Sequence, residues 1–282
     1  MLQAPQRTGL SGPTLIRLLT RLTDAEVQQS RQSLSDHLSQ WLGWTDAIAL
    51  SAALNTAPPV IAPGARMFSS AEERECVRVR TTLADAIASD TAATAAKRVA
   101  PARAPAKKLA AVLAEHEFDY SSFRQRYLSL QHTMETSIGN LRSRLRGMVA
   151  ARNGEWTRLA VVDAIMDRAL LPKERALLGA IPKLLQAHFD RLRKAEEAAL
   201  AQAAEHAVAE PGAPADAAAN VQGDTEAPAV DAAQAGTSPP APAITAGAWL
   251  DTFRADMRAV LLAELDVRLQ PVEGLLAALR TS

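Results

Sequence analysis

"FDYSSFRQRYLSLQHTMETSIGNLRSRLRGMVAARNG", residues 118–154, decides the fold class. Apolar side chains fall at Phe123, Tyr127, Leu130, Met134, Ile138, Leu141, Leu145 and Met148, always three or four residues apart. At about 100° per residue they form a stripe roughly 80° wide, narrow like the seam of a coiled coil. Arg124 and Arg142 lie on one side of it, Arg126 and Arg144 on the other. Long side chains at such flanks cover a seam and pair with acids on the neighbouring helix. A nucleic-acid-binding helix would gather its cations on a face turned away from the core, in a domain of high pI, whereas the pI here is about 7.0. The arginines are therefore expected to fence a helix–helix interface.

Helical signals continue on both sides. "TLIRLLTRL" follows Gly12-Pro13, and "TDAE" offers Thr23 as the N-cap of a second helix. "GWTDAIALSAALN" is apolar nearly all round, the pattern of a buried helix. Ser70 is the expected cap of "AEERECVRVRTTLADAIASD", where Cys76, Val79, Leu83 and Ile87 share a face. "VRVRT" alternates like a strand, but strong helix formers flank it with no turn signal between. "EWTRLAVVDAIMDRALL" is the next helix, Pro172 suits the first position of the one after, and Pro182 is expected to kink it. "AWLDTFRADMRAVLLAELDVRLQPVEGLLAALR" ends the chain as an amphipathic helix broken at Pro271.

The predicted fold is all-α, an elongated helical bundle or coiled-coil-like hairpin with disordered Ala/Pro linkers. Its expected parts are a helical region over 10–90, a basic Ala/Pro linker over 91–110 and a long-helix bundle or coiled-coil region over 115–209. Within the last, 119–153 and 172–208 are expected to pack as an antiparallel hairpin or bundle, a second copy being a natural complement. Residues 210–246 carry Glu210, Asp216, Asp224, Glu226 and Asp231 and no basic residue, the composition of a disordered acidic linker. Residues 247–280 form a docking helix.

Composition narrows the function. Hydrophobic residues make up 48% of the chain but aromatics only 4%, so slim, alanine-rich helix packing is expected. Lys+Arg and Asp+Glu are both 31, which removes any global electrostatic case for nucleic acid or membrane binding. Cys76 is the only cysteine, so there is no intrachain disulfide and no cysteine cluster for a metal. It shares an apolar face with Val79 and Leu83, as an inert buried thiol would. The histidines (His37, His116, His132, His188, His206) are scattered, and no nucleophile elbow or phosphate loop occurs. We therefore expect no catalytic, cofactor-binding or metal-binding residues, and a non-enzymatic protein. The N-terminus lacks a signal-peptide core, and the long uncharged run Ala47–Ala65 contains three prolines. No transmembrane segment is expected, and the default is a soluble cytoplasmic protein.

Two segments invite binding hypotheses. "AKRVAPARAPAKK" carries Lys97, Arg98, Arg103, Lys107 and Lys108 without an acid: an anion contact for nucleic acid or lipid, or simply a charged linker. With the exposed arginines it carries the alternative reading, a nucleic-acid-associated protein. The C-terminal helix presents Trp249, Phe253, Val260, Leu261 and Leu265 after a long tether. That face either anchors in the groove of a partner or folds back on its own chain.

"TGLSGPTLIRLLTRL", "LSQWLGWTDAIALSAAL", "DYSSFRQRYLSLQHTMETSIGNLRSRLR" and "LAVVDAIMDRALLPKERALLGAIPKLLQAHFDRLR" together resemble a bacterial family of similar length defined as a domain of unknown function. The resemblance covers roughly residues 8–195 and transfers no catalytic residue. It implies a cytoplasmic accessory of an envelope-associated complex, peripheral to the inner membrane through its partners. Those partners would be a peptidoglycan-binding envelope protein and a stator-like or coiled-coil membrane protein. The expected function is thus that of a helical scaffold or assembly protein.

Overall fold

The computed structural model describes residues 14–23, 32–55, 68–99, 119–152, 154–209 and 247–281, with backbone alone over 90–99 and 206–209. Among them are eight helices and no strand: α1 (Thr14–Thr23), α2 (Leu34–Trp41), α3 (Trp44–Asn55), α4 (Ser70–Val99), α5 (Tyr120–Ala150), α6 (Gly154–Leu178), α7 (Ile181–Ala209) and α8 (Ala248–Arg280). The fold is all-α.

The quoted stretch becomes α5. Asp119 caps it, its carboxylate accepting the Ser121 N–H at 3.1 Å. Phe123, Tyr127, Met134, Ile138, Leu141, Leu145 and Met148 are buried. Leu130 is only partly buried, and Gln131 occupies the seam in its place. From Phe123 the buried spacing is 4, 4, 3, 4, 3, 4, 3, so the stripe is intact but one of its members is polar. Hydrophobicity alone picked the apolar neighbour.

Helix ends follow local chemistry, with corrections to the sequence reading. A capping box opens α2: the Asp36 N–H donates to Ser33 Oγ at 3.1 Å, and the Ser33 N–H to Asp36 Oδ2 at 3.0 Å. Thr23 instead closes α1, and residues 24–31 lie outside the described residues. Ser69 rather than Ser70 pairs with Glu72 at the start of α4. That helix runs on to Val99, past the boundary expected near residue 90, because the alanines of "TAATAAKRV" favour helix. Pro172 lies inside α6 rather than opening a new helix.

The break comes at Gly179, whose N–H donates to Arg175 O at 2.9 Å. A Cβ there would sit 2.8 Å from that same carbonyl oxygen, so the turn requires glycine. Pro182 falls in the first turn of α7, where a backbone N–H has no helical acceptor to lose. Pro271 likewise does not break α8, which is helical for 33 residues. Burial of Leu269, Val272, Leu275 and Leu276 around the proline offsets the roughly 3 kcal/mol that an interior proline costs.

α8 is the axis of the molecule. It packs against α1, α4, α5 and α7, while α5 reaches α6 on its other side. The segment expected to pair with α5 is therefore divided. α6 lies along α5, whereas α7 packs mainly on α8 and α1 and touches α5 less. α2 and α3 form an outer layer on α6. Against expectation, α3 has no buried residue. Its apolar residues divide between a half-buried side towards α6 and a fully outward one.

Candidate functional site

At the centre of the α5–α8 contact lies a buried polar cluster. Glu264 has no exposed surface. Its carboxylate accepts the Tyr127 hydroxyl at 2.6 Å, Gln131 Nε2 at 3.0 Å and Arg268 Nε at 2.9 Å. Gln131 Nε2 also donates to Leu178 O at 3.1 Å, tying the end of α6 to both central helices. Arg268 reaches outward to Glu174 of α6 at 3.0 Å. Burial raises the Glu174 carboxyl above its ordinary pKa, opposed by the Arg268 guanidinium. Burial, then the Glu264 charge, raises the Tyr127 phenol, which therefore stays a donor. The Glu264 carboxylate is wholly enclosed, and these three donors satisfy it.

Two of the four flanking arginines pair within the chain. Arg142 Nη2 lies 2.5 Å from Asp163 and Nη1 2.6 Å from Asp167, both on α6. Arg146, one turn on, contacts the same two acids at 2.6 and 2.7 Å. Arg144 stands 3.9 Å from Glu75 of α4. Arg124 and Arg126 make no ion pair with the described residues. Arg152 donates to Leu279 O at 2.7 Å at the end of α8, and Arg191 donates to Leu22 O at the end of α1, where cations complement exposed carbonyls. Of the linker cations, Lys97 and Arg98 lie on the backbone of α4, and Arg103, Lys107 and Lys108 fall outside the described residues.

The C-terminal helix contacts its own chain. Trp249, Phe253, Val260, Leu261 and Leu265 are all buried. Phe253 meets Phe189 of α7 edge-on at 5.0 Å and Phe123 of α5 at 5.2 Å, with Trp249 against Phe189 at 4.8 Å. Such contacts add to plain area burial. The buried His188 sits beside them, its Nε2 2.9 Å from Asp256 Oδ2. That acid also takes Arg21 of α1 at 3.4 Å, so the pair ties α1 and α7 to α8.

The surface gives two contrasting features. Between α4 and α8 a groove of about 440 Å³ runs over Cys76, Val77, Leu269 and Leu276. Arg80–Glu273 and Arg280–Glu73 pair at its rim, and burial raises the Cys76 thiol, so it is a poor nucleophile. The outer side of α3 is different in kind. Trp44 is 81% exposed, Ile48 52% and Leu54 53%. On the wheel they share this side with Ala47, Ser51 and Asn55, all exposed. The single charge of α3, Asp46, turns inward to Arg168 of α6 at 2.9 Å.

The family model for protein of unknown function (DUF3348) matches residues 1–281. The chain belongs to this family. No curated protein and no solved structure matches it. The DUF3348 match reaches well past the 8–195 of the sequence resemblance and takes in α8.

Among the described residues of this DUF3348 protein, no three His, Cys, Asp or Glu side chains are grouped to hold a metal ion, and no helix is long and apolar enough to cross a membrane. The sequence reading missed Gln131, Glu264, Arg268, Asp163, Asp167 and Trp44. For Glu264 and Arg268 a signal existed: Met257, Leu261, Glu264, Arg268, Val272 and Leu275 continue one buried three-four spacing. A charged i, i+4 pair inside such a stripe marks a buried ion pair.

Proposed function

We propose that this protein is a non-enzymatic helical assembly protein, a cytoplasmic accessory of an envelope-associated complex that assembles through protein–protein contacts. The observation that carries the reading is the outer face of α3. An indole 81% exposed, with Ile48 and Leu54 beside it and no charge among them, is an arrangement that interfaces use and that solvent disfavours. The rest of the design favours the same reading. Carboxylates of neighbouring helices hold Arg142, Arg144 and Arg146, which leaves fewer cations to bind phosphate. The buried carboxylate of Glu264 is enclosed, which suits a part that holds a shape better than one that turns over a substrate.

The test is a tagged recovery from native cells at natural expression level, with gentle solubilisation and nuclease added to half of each sample. Wild type is expected to bring down one or two envelope proteins whether or not nuclease is present, and Trp44→Asp to lose them. Partners that vanish with nuclease would move the protein to the nucleic-acid class. Partners indifferent to Trp44 would remove α3 as the docking face.

A further inference from the structure

We propose that the outer face of α3 is a self-association surface, and that its occupant is α3 of a second copy packed antiparallel about a two-fold axis. The inference rests on the assembly reading above and names the partner of that face.

Three observations select this occupant. The first is charge. Residues 32–55 contain Asp36 and Asp46 and no lysine or arginine, and Asp46 already serves Arg168. A face without cations beside acids gains nothing from an anionic bilayer, which recruits lysine and arginine. Its partner must itself be apolar and uncharged. Every other described helix but α2 carries two or more charges, and this face meets the requirement itself.

The second is the order of side-chain sizes. Trp44, Ala47, Ile48, Ser51 and Leu54 read large, small, large, small, large along the outer side. Centred between residues 49 and 50, an antiparallel copy sets Ile48 against Ser51 and Trp44 against Leu54 and Asn55. Ala47 of one copy then faces Ala52 and Leu54 of the other. Large groups meet small ones near the centre, where the axes must approach, and meet large ones at the ends. A parallel copy would instead stack Ile48 on Ile48 and Trp44 on Trp44, leaving gaps at Ala47 and Ser51.

The third is area. At their observed exposures, Trp44, Ile48 and Leu54 with the small residues between them offer on the order of 500 Å² per copy. Doubled across the axis this is about 1,000 Å², the size at which specific but reversible interfaces begin. The expected dimer is therefore weak, with dissociation in the micromolar range, and is suited to strengthening when copies gather on a larger assembly.

Sedimentation equilibrium of the full chain across the micromolar range tests this. The mass is expected to rise with concentration from one chain of 30.0 kDa towards two, and Trp44→Asp to remain at one. Because Trp44 is so exposed, that variant is expected to keep its circular dichroism and thermal midpoint. Should it not, Ile48→Cys mixed with Ser51→Cys, both in a Cys76→Ser background, gives an independent reading. Mild oxidation should link the mixture in preference to Ile48→Cys alone. A single-chain mass at every concentration, whatever else then covers α3, would overturn the proposal. So would a dimer that Trp44→Asp leaves intact, or linkage of Ile48→Cys to itself. A chain that stays single yet still captures its partners through Trp44 sinks the second copy while leaving the assembly reading standing.

Discussion

Glu264 shows what one residue can do for specificity in an alanine-rich core. Its carboxylate depends on Tyr127, Gln131 and Arg268, and each donor comes from a position that would otherwise carry a hydrophobe. Removing the acid leaves Arg268 buried with only Glu174 to answer it. Glu264→Ala is expected to cost about 3–5 kcal/mol, the usual penalty for orphaning a buried charge, read as a shifted midpoint in urea unfolding. The two tyrosines give a second test, since they are the only ones in the chain. Burial pushes Tyr120 up to about 12, and Tyr127 is raised as well, by burial first and then by Glu264. Between their ordinary value near pH 10 and these raised values, the folded chain keeps protons that the unfolded chain gives up. Stability is therefore lost as pH rises through this window. At about pH 10.5 the native protein should show almost no tyrosinate absorbance, whereas the urea-unfolded chain should show more than half of it. Normal titration of Tyr127 in the native state would contradict the buried cluster, and normal titration of Tyr120 would contradict its burial. At this scale the sequence was least readable. Hydrophobicity marks Leu130 and passes over Gln131, because a glutamine becomes a core residue only through partners 47 and 133 positions away.

At the scale of elements, the seam of α5 was readable from spacing, since three-four periodicity is fixed by the helix itself. Its membership can be tested one side chain at a time. Leu141→Ala is expected to cost about 2–5 kcal/mol and Leu130→Ala less than about 1 kcal/mol, because only the first leaves a cavity in the core. Equal costs would restore Leu130 to the seam. The prolines misled for a physical reason. Pro172 and Pro271 each remove one hydrogen bond, and local rules read that as a stop, but both helices run through; at Pro271 the burial of Leu269, Val272, Leu275 and Leu276 holds the helix together. Gly179, with no such side chain to recommend it, makes the real break between α6 and α7. α3 was misjudged in the opposite sense: apolar residues all round describe a helix with two contacts as well as one sunk in a core.

For the whole molecule, one pattern links these results. Arg142 and Arg146 clamp α6, Arg268 joins the central cluster, and Arg191 and Arg152 cap the ends of α1 and α8. The C-terminal helix, whose apolar face suited a partner's groove and its own chain alike, is the axis on which α1, α4, α5 and α7 pack. Among the described residues the apolar face of α8 is turned inward, and an uncharged side of α3 stays outward. Hydrogen exchange read by mass spectrometry, on dilute and on concentrated protein, tests this arrangement most directly. Amides of α5 from Tyr127 to Leu145 and of α8 from Met257 to Leu276 should exchange slowest at both concentrations. Those of α3 should exchange faster and slow only in the concentrated sample. An α8 that exchanges as fast as α3 would contradict the central place of the C-terminal helix. An α3 already as protected when dilute as when concentrated would mean that its outer face is covered within the single chain.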